Sequence, residues 1–443
     1  MRPKILVLLS AGLSLTVLIA WAFGSHLTYN SFYPLHVKEE QHIEPKIFPY
    51  WPISTLSSAP NQTGRPLPPF HLDKLRQERR SHLLEACKDG SVRYRGTYQV
   101  PYTVLERLQV SQKHRLIYCG LEKAASSFMK RLFMILNGAE KKSPYDIPVA
   151  LSGFGVPSLS NFKKEIAQGM LHDSTKLIIG RDPYTRLLSA YVDKLYSPNA
   201  IYAEKIGKYA TILFRVNTTD QSQWCGFDLT FKEFVKYFIQ SINDGLNRDN
   251  HFAPAYQMCL PCTYDYNYIA KTDTLLNDTV FLLSQLGEKH IAENLQVNFS
   301  SQNREDKIKD QSNLLFMFRE KYKGCLSFYD AQRKIWKKMQ AAGVIDKNSK
   351  YPISQEGSEN ITRSAFEKLL LAAVGNAGDS MVARQQREEA AIEAYASIDG
   401  TDMEKLSKIL APDCKIFNYD CRPPKFFKTD PNITPWYFDL ETA

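Results

Sequence analysis

The chain has 443 residues, of which 44% are hydrophobic and 23% charged. That balance excludes a wholly disordered or collagen-like chain, and the length exceeds the size at which one hydrophobic core usually stops growing. Lysine and arginine number 56 against 47 aspartate and glutamate; the net charge of +9 suits an anionic ligand but is too dispersed to indicate nucleic acid.

In chain order, residues 1–4 read as a cytoplasmic tail carrying Arg2 and Lys4. Residues 5–23 (ILVLLSAGLSLTVLIAWAF) are uncharged and apolar or small, and about 20 such residues cross a bilayer core. With the positive flank held in the cytoplasm, the remainder is expected in the secretory lumen. A cleaved signal is the rival reading, because Ala20-Trp21-Ala22 fits a small-x-small site. The apolar run, however, outlasts a typical h-region of roughly 7–15 residues, which favours a signal-anchor. N-x-[ST] acceptors at Asn61, Asn217, Asn277, Asn298, Asn360 and Asn432 agree with the lumen. In that oxidising compartment the eight cysteines can pair, with Cys119, inside an apolar run, a candidate free core thiol. Cys259-x-x-Cys262 reads as disulfide partners before half of a zinc site, since no second C-x-x-C follows.

Residues 24–84 hold Pro34, Pro45, Pro49, Pro52, Pro60, Pro66, Pro68 and Pro69 and read as an extended stem. From 85 to 443 short apolar runs alternate with helical periodicities, the signature of an α/β domain with a central parallel sheet flanked by helices. The first junction joins a strand, Leu116 to Cys119, through Gly120-Leu121-Glu122-Lys123-Ala124-Ala125 to a helix with Phe128, Met129, Leu132, Phe133 and Leu136 at helical spacing. Lysine, small residues and hydroxyls at a helix start can cradle an anion; the plain alternative is a βα turn capped by Ser126 or Ser127. It is not a Walker A loop, because the lysine precedes the turn.

The second junction runs from the strand Lys176 to Gly180 into Arg181-Asp182-Pro183-Tyr184-Thr185-Arg186-Leu187-Leu188-Ser189-Ala190-Tyr191. Asp182 fits an N-cap and Pro183 the first helical position. Arg181 stands at a strand's carboxyl end, where α/β folds bind ligands, and Arg186 and Ser189 share one helix face; as an alternative, both arginines are solvated. Lys334, Lys337 and Lys338 line a helix around Trp336, a solvated face or a surface for an anionic glycan. Helical patterns at 364–374 and 383–396 form an insert spanning about 345–400.

Taken together, the two junctions resemble the Golgi carbohydrate sulfotransferases of the chondroitin 4-sulfotransferase and HNK-1 sulfotransferase group, sulfotransferase family 2. Lys123, Ser127, Lys130 and Arg131 match that family's 5′-phosphosulfate loop. Arg181, Asp182, Pro183, Arg186, Leu187, Ser189, Ala190 and Tyr191 match its 3′-phosphate element. Asp249 to Pro254, Leu260-Pro261-Cys262 and Tyr264 to Leu275 look like its downstream segments, and Phe417-Asn418-Tyr419-Asp420 like its closing one. The chain departs from the pattern at Glu122, which stands where the family has proline, and at Phe128 and Met129, which replace an Asn-Trp pair.

The resemblance implies a P-loop-NTPase-like sulfotransferase fold and sulfuryl transfer from 3′-phosphoadenosine 5′-phosphosulfate, without a metal, to a hydroxyl of a glycan or proteoglycan. The Golgi membrane is the implied location. It places Glu122, Lys123, Ala124, Ala125, Ser126, Ser127 and Phe128 around the donor's 5′ end, and Arg181, Arg186 and Ser189 around its 3′-phosphate. Lys123 serves catalysis; a neutral imidazole has the appropriate pKa for the base, and His251 is the candidate because it lies in the family-like Asp249–Pro254 segment. His172 is a poorer candidate. The competing readings are a glycan-binding protein on a degenerate sulfotransferase scaffold, towards which Glu122 leans, and, lower, a nucleotide kinase.

Overall fold

The computed structural model describes residues 72–92, 102–217, 219, 224–245, 249–374, 380–428 and 433–443. The expected tail, the anchor (5–23) and most of the stem lie outside these residues. No helix among the described residues is long and apolar enough to cross a membrane.

Four strands make the sheet: β1 (Leu108–Ser111), β2 (Leu116–Cys119), β3 (Thr175–Gly180) and β4 (Tyr268–Lys271), side by side in that order. β2, β3 and β4 are parallel, whereas β1 pairs antiparallel with β2. The expected parallel sheet therefore holds for three strands only. β1 and β2 are separated by four residues, too few for the crossover that a parallel pair needs. β2 is buried along its whole length, and β3 from Lys176 onward, as their continuous apolar runs require when helices cover both faces.

The helix Ser126–Leu136 follows β2 and buries Phe128, Met129, Leu132, Phe133 and Leu136, the spacing that identified it. Each such side chain removed from water contributes about 1.5–3 kcal/mol. The helix Pro183–Tyr191 follows β3; Asp182 caps it by accepting from the Thr185 amide, and Pro183 opens it. The helix Leu275–Gln285 follows β4. The long helix Lys289–Met317 and the helices Phe328–Ala341, Ser380–Ala396 and Gly400–Phe417 complete the frame used below.

The structured domain starts earlier than 85. The helix Lys74–Ala86 lies within the stretch expected as stem, beyond its last proline. Its Leu83 joins the sheet core, and Arg76 and Arg79 grip the buried Asp278 at 2.8 Å each. The insert is also no appendage. Phe366 and Leu370 of the helix Arg363–Ala372 pack with Trp336 and Ile335, while Tyr395 packs with Tyr184 and Phe231.

Three disulfides form: Cys87–Cys262, Cys119–Cys259 and Cys225–Cys325. Cys119 is thus not a free thiol: it ends β2 and pins the following loop to Cys259. The Cys259-x-x-Cys262 pair is disulfide-bonded, each cysteine to a different element. Among the described residues the unpaired cysteines are Cys414 and Cys421.

The lysines around Trp336 are not a solvated face. Lys337 is fully buried and donates to the Thr442 carbonyl at 3.0 Å and to its hydroxyl at 2.6 Å. Lys334 lies over the Tyr196 ring at 4.5 Å, and burial lowers both ammonium groups to about 8. Lys338 turns into the site described next.

Gly180 ends β3 against the closing segment: a Cβ there would stand 2.4 Å from the Phe417 ring. Phe417 is itself buried, so the ring cannot swing away into water. Gly180→Ala is expected to lower stability by about 1–3 kcal/mol, as overpacking does, read as a lowered thermal midpoint.

Candidate active site

The loop between β2 and the helix Ser126–Leu136 adopts a conformation that its sequence disfavours. Lys123 (φ 64°) and Ala125 (φ 59°) both take the left-handed region without being glycine. Two arginines of the second junction hold this shape. Arg181 donates through Nη1 to the Lys123 carbonyl at 2.9 Å, and Arg186 through Nε to the Glu122 carbonyl at 2.9 Å. The two junctions are therefore one physical unit, with the second element stapling the backbone of the first.

Arg186 is buried, sits close to Met258 and the Asp413 charge, and is lowered to about 10 by that burial. It belongs to the scaffold under the loop. Arg181 is only partly covered, and its bond to the Lys123 carbonyl leaves guanidinium N–H groups for a ligand. Ser189 lies two turns into the same helix, partly exposed.

At the helix start the turn is not capped by a serine. Ala125 occupies the N-cap, while the buried Ser126 donates its hydroxyl to Glu122 Oε2 at 2.7 Å. The amides of Ser126, Ser127 and Phe128 have no intrahelical acceptor by position, so they and the dipole favour an anion there. The Ala124 amide bonds to the Leu121 carbonyl at 3.2 Å and is not available. The Phe128 side chain points away from the loop into an aromatic cluster, 5.5 Å from Tyr145 and 5.6 Å from Phe299.

Glu122 does not confront the anion site as a free charge. Its Oε1 accepts from Lys130 at 3.0 Å; although burial favours the neutral acid, Lys130, His251 and Ser126 hold the carboxyl far below the usual range. Arg131 is likewise internal, with both terminal nitrogens on Asp306 of the helix Lys289–Met317 at 2.8 and 2.7 Å.

Lys123 Nζ lies 2.9 Å from Asp193 Oδ2, a residue sequence reasoning missed. Asp193 also meets Lys194 at 3.2 Å and, through Oδ1, Lys338 at 2.8 Å. Three ammonium groups share one carboxylate, so the cluster carries excess positive charge. Burial lowers the Lys123 ammonium despite Asp193, whereas the three lysines overcome burial to hold the Asp193 carboxyl well below its ordinary value. Asp193 lies on a π-helical turn, Val192–Tyr196, a widening frequent at functional sites. The available signal was the charged pair Asp193-Lys194 two residues after Tyr191, set between Val192 and Leu195.

His251 is half-buried, its side chain 19% exposed. Its Nδ1 lies 2.9 Å from Asp249 Oδ1 and 2.9 Å from the Tyr202 hydroxyl, which itself donates to Asp249 Oδ2 at 3.0 Å. This arrangement places the ring proton on Nδ1, towards the carboxylate, and leaves the Nε2 lone pair as a base. Burial first, then Lys194, lowers its pKa from the ordinary histidine value. Its charge and that of Glu122, on the loop after β2, bear on one another. His172, by contrast, is exposed beside Asp173 at the opposite, amino-terminal end of β3.

The family model described as the sulfotransferase family matches residues 106–338. Human carbohydrate sulfotransferase 9 is 31% identical over 218 residues, 48% of each chain. Human carbohydrate sulfotransferase 8 is 30% identical over 220 residues, 48% of this chain and 50% of its own. Carbohydrate sulfotransferase 10 of Xenopus laevis is 29% identical over 225 residues, 49% and 63%. The chain spans about half the length of the first two relatives. No solved structure matches. The matched segment contains both junctions, the Asp193 cluster and His251, and covers more than half of the chain; the protein belongs to the sulfotransferase family.

Proposed function

We propose that the protein is a carbohydrate O-sulfotransferase of the Golgi lumen, anchored through residues 5–23. On this reading it moves a sulfuryl group from 3′-phosphoadenosine 5′-phosphosulfate to a glycan hydroxyl, on chondroitin- or dermatan-type N-acetylgalactosamine or on a terminal sugar. The observation that carries the reading is the stapled loop: Arg181 holding the Lys123 carbonyl at 2.9 Å beside a base prepared by Asp249.

The residues divide the work by charge. The Ser126, Ser127 and Phe128 amides and Lys123 receive the donor's 5′ end, where negative charge grows as the sulfur–oxygen bond to phosphate breaks. Arg181 and Ser189 hold the 3′-phosphate. His251 Nε2 takes the proton of the acceptor hydroxyl as its oxygen bonds to sulfur, and adenosine 3′,5′-bisphosphate leaves. Asp249 and Tyr202 fix the imidazole so that little reorganisation is needed at that moment.

Glu122 leans towards the degenerate glycan-binding alternative; the pairing of that carboxylate with Lys130 at 3.0 Å supports the enzyme reading. Incubating the lumenal part with labelled sulfate donor and a panel of desulfated glycans tests the reading. Incorporation into at least one chondroitin- or dermatan-type acceptor is expected; binding of those glycans with no incorporation would favour the alternative.

A further inference from the structure

The closing segment brings together the two cysteines that remain thiols among the described residues, both beyond the segment that matches the family. Cys414 is buried in the last turn of the helix Gly400–Phe417, in the cluster that holds Tyr184 and Leu410. The helix ends at Asn418, which takes the left-handed region (φ 52°), and the Tyr419 amide donates back to the Cys414 carbonyl at 2.9 Å. The chain therefore reverses, and the half-buried Cys421 returns along the turn it has just left, its Sγ 3.8 Å from the Ala411 carbonyl. In a helix a side chain reaches the carbonyl three residues before it, so the Ala411 carbonyl also borders the Cys414 side chain. The two thiols meet there, Cys414 donating to the Cys421 sulfur.

The residues between the two sulfurs clasp the carboxyl ends of β3 and β4. Phe417 fills the space over Gly180, and the Asn418 carbonyl accepts from Lys271 Nζ at 3.3 Å. The Tyr419 hydroxyl donates to Asp273 at 2.7 Å, and the Cys421 carbonyl accepts from the Tyr184 hydroxyl at 2.6 Å. Burial pushes both thiols above the ordinary cysteine value, but the hydrogen bond from Cys414 favours the Cys421 thiolate. The more exposed sulfur is thus the readier nucleophile, with the buried one placed to follow it. Too few ligands gather for a metal: among the described residues no group of three His, Cys, Asp or Glu side chains could hold one.

We infer that Cys414 and Cys421 are the site of a fourth disulfide, which fastens the closing segment over the strand ends beside Arg181. The oxidant is a low-molecular-weight disulfide such as oxidised glutathione. The Cys421 thiolate attacks one of its sulfurs and releases one glutathione thiolate. Cys414, giving up its proton, then attacks the Cys421 sulfur of the mixed disulfide and releases the second. Two protein thiols become one disulfide, and the oxidant takes up the two electrons and two protons as two glutathione thiols. The inference rests on the lumenal reading only for its oxidising surroundings.

The test takes the full-length protein from cells with a secretory pathway, before and after equilibration with oxidised glutathione. Each sample is alkylated with N-ethylmaleimide in denaturant, digested with trypsin and read by mass spectrometry. Cleavage after Lys408, Lys415 and Lys425 separates the peptide Ile409–Lys415 from Ile416–Lys425. After glutathione these two are expected joined, and to part on reduction. Cys414 and Cys421 alkylated while the other three disulfides stay linked, or either joined to another cysteine, overturns the inference and leaves the lumenal reading standing. Alkylation of all eight cysteines before glutathione overturns the lumenal reading instead, and the glutathione sample still decides the pair. Cys414→Ala and Cys421→Ala should each lower the thermal midpoint of the oxidised protein by about 5 °C, and the double variant by little more, since all three lose the same bond. Losses that add across the two positions, as independent thiols would give, also overturn the inference.

Discussion

Lys123→Ala is expected to reduce kcat for sulfuryl transfer by about 100- to 1,000-fold, the scale on which removal of one preorganised donor to a developing negative charge acts. The fold should survive. Asp193 would keep Lys338 at 2.8 Å and Lys194 at 3.2 Å, so no buried carboxylate is left uncompensated. The reciprocal change differs in kind: Asp193→Ala removes the carboxylate that Lys123, Lys194 and Lys338 share and should destabilise by about 3–5 kcal/mol, the penalty for breaking a buried pair. Steady-state rates together with thermal midpoints separate the two. A Lys123→Ala variant with normal kcat would remove the lysine from the chemistry, and a large fall in its midpoint would make it structural.

His251→Ala should cost about 100- to 10,000-fold in kcat, as expected of a positioned general base, and leave binding of adenosine 3′,5′-bisphosphate intact. The pH dependence has a defined sign. Burial and Lys194 place the imidazole below its ordinary pKa of 6.5, so the neutral, proton-accepting form persists into mildly acidic solution. The acidic limb of kcat/KM should accordingly lie below pH 6.5 in the unsubstituted protein and be absent from the variant. Asp249→Asn keeps the shape but loses the carboxylate that holds the proton on Nδ1, and should lower kcat while changing KM little. An acidic limb at or above pH 6.5, or loss of nucleotide binding in His251→Ala, would contradict the assignment.

Much of the fold was legible because it is written in local patterns. Leu116–Cys119 and, within β3, Leu177–Ile179 are apolar runs too short for helices, and Asp182-Pro183 is a helix start that depends only on the backbone beside it. The antiparallel β1 and the helix Lys74–Ala86 were not read. Four residues of an edge strand carry little pattern, and that helix buries only one narrow stripe beyond a proline-rich stretch. The cysteine partners were illegible in principle: Cys119 looks like a core residue in sequence and becomes a disulfide only because β2 passes Cys259.

The chemistry divides along the same line. Residue order alone gave the expectation of an anion cradle at the two strand–helix junctions and carried their likeness to sulfotransferases, since a cradle for an oxyanion needs small residues, hydroxyls and a cation within a few positions of one helix start. Folding assigned the roles. Arg186, which the pattern grouped with the phosphate ligands, holds the Glu122 carbonyl from below; Glu122 is matched by Lys130; and Asp193 binds Lys123 across 70 positions of chain. Contacts between distant positions leave no trace in local spacing, because they depend on which helix faces are brought together when the sheet forms.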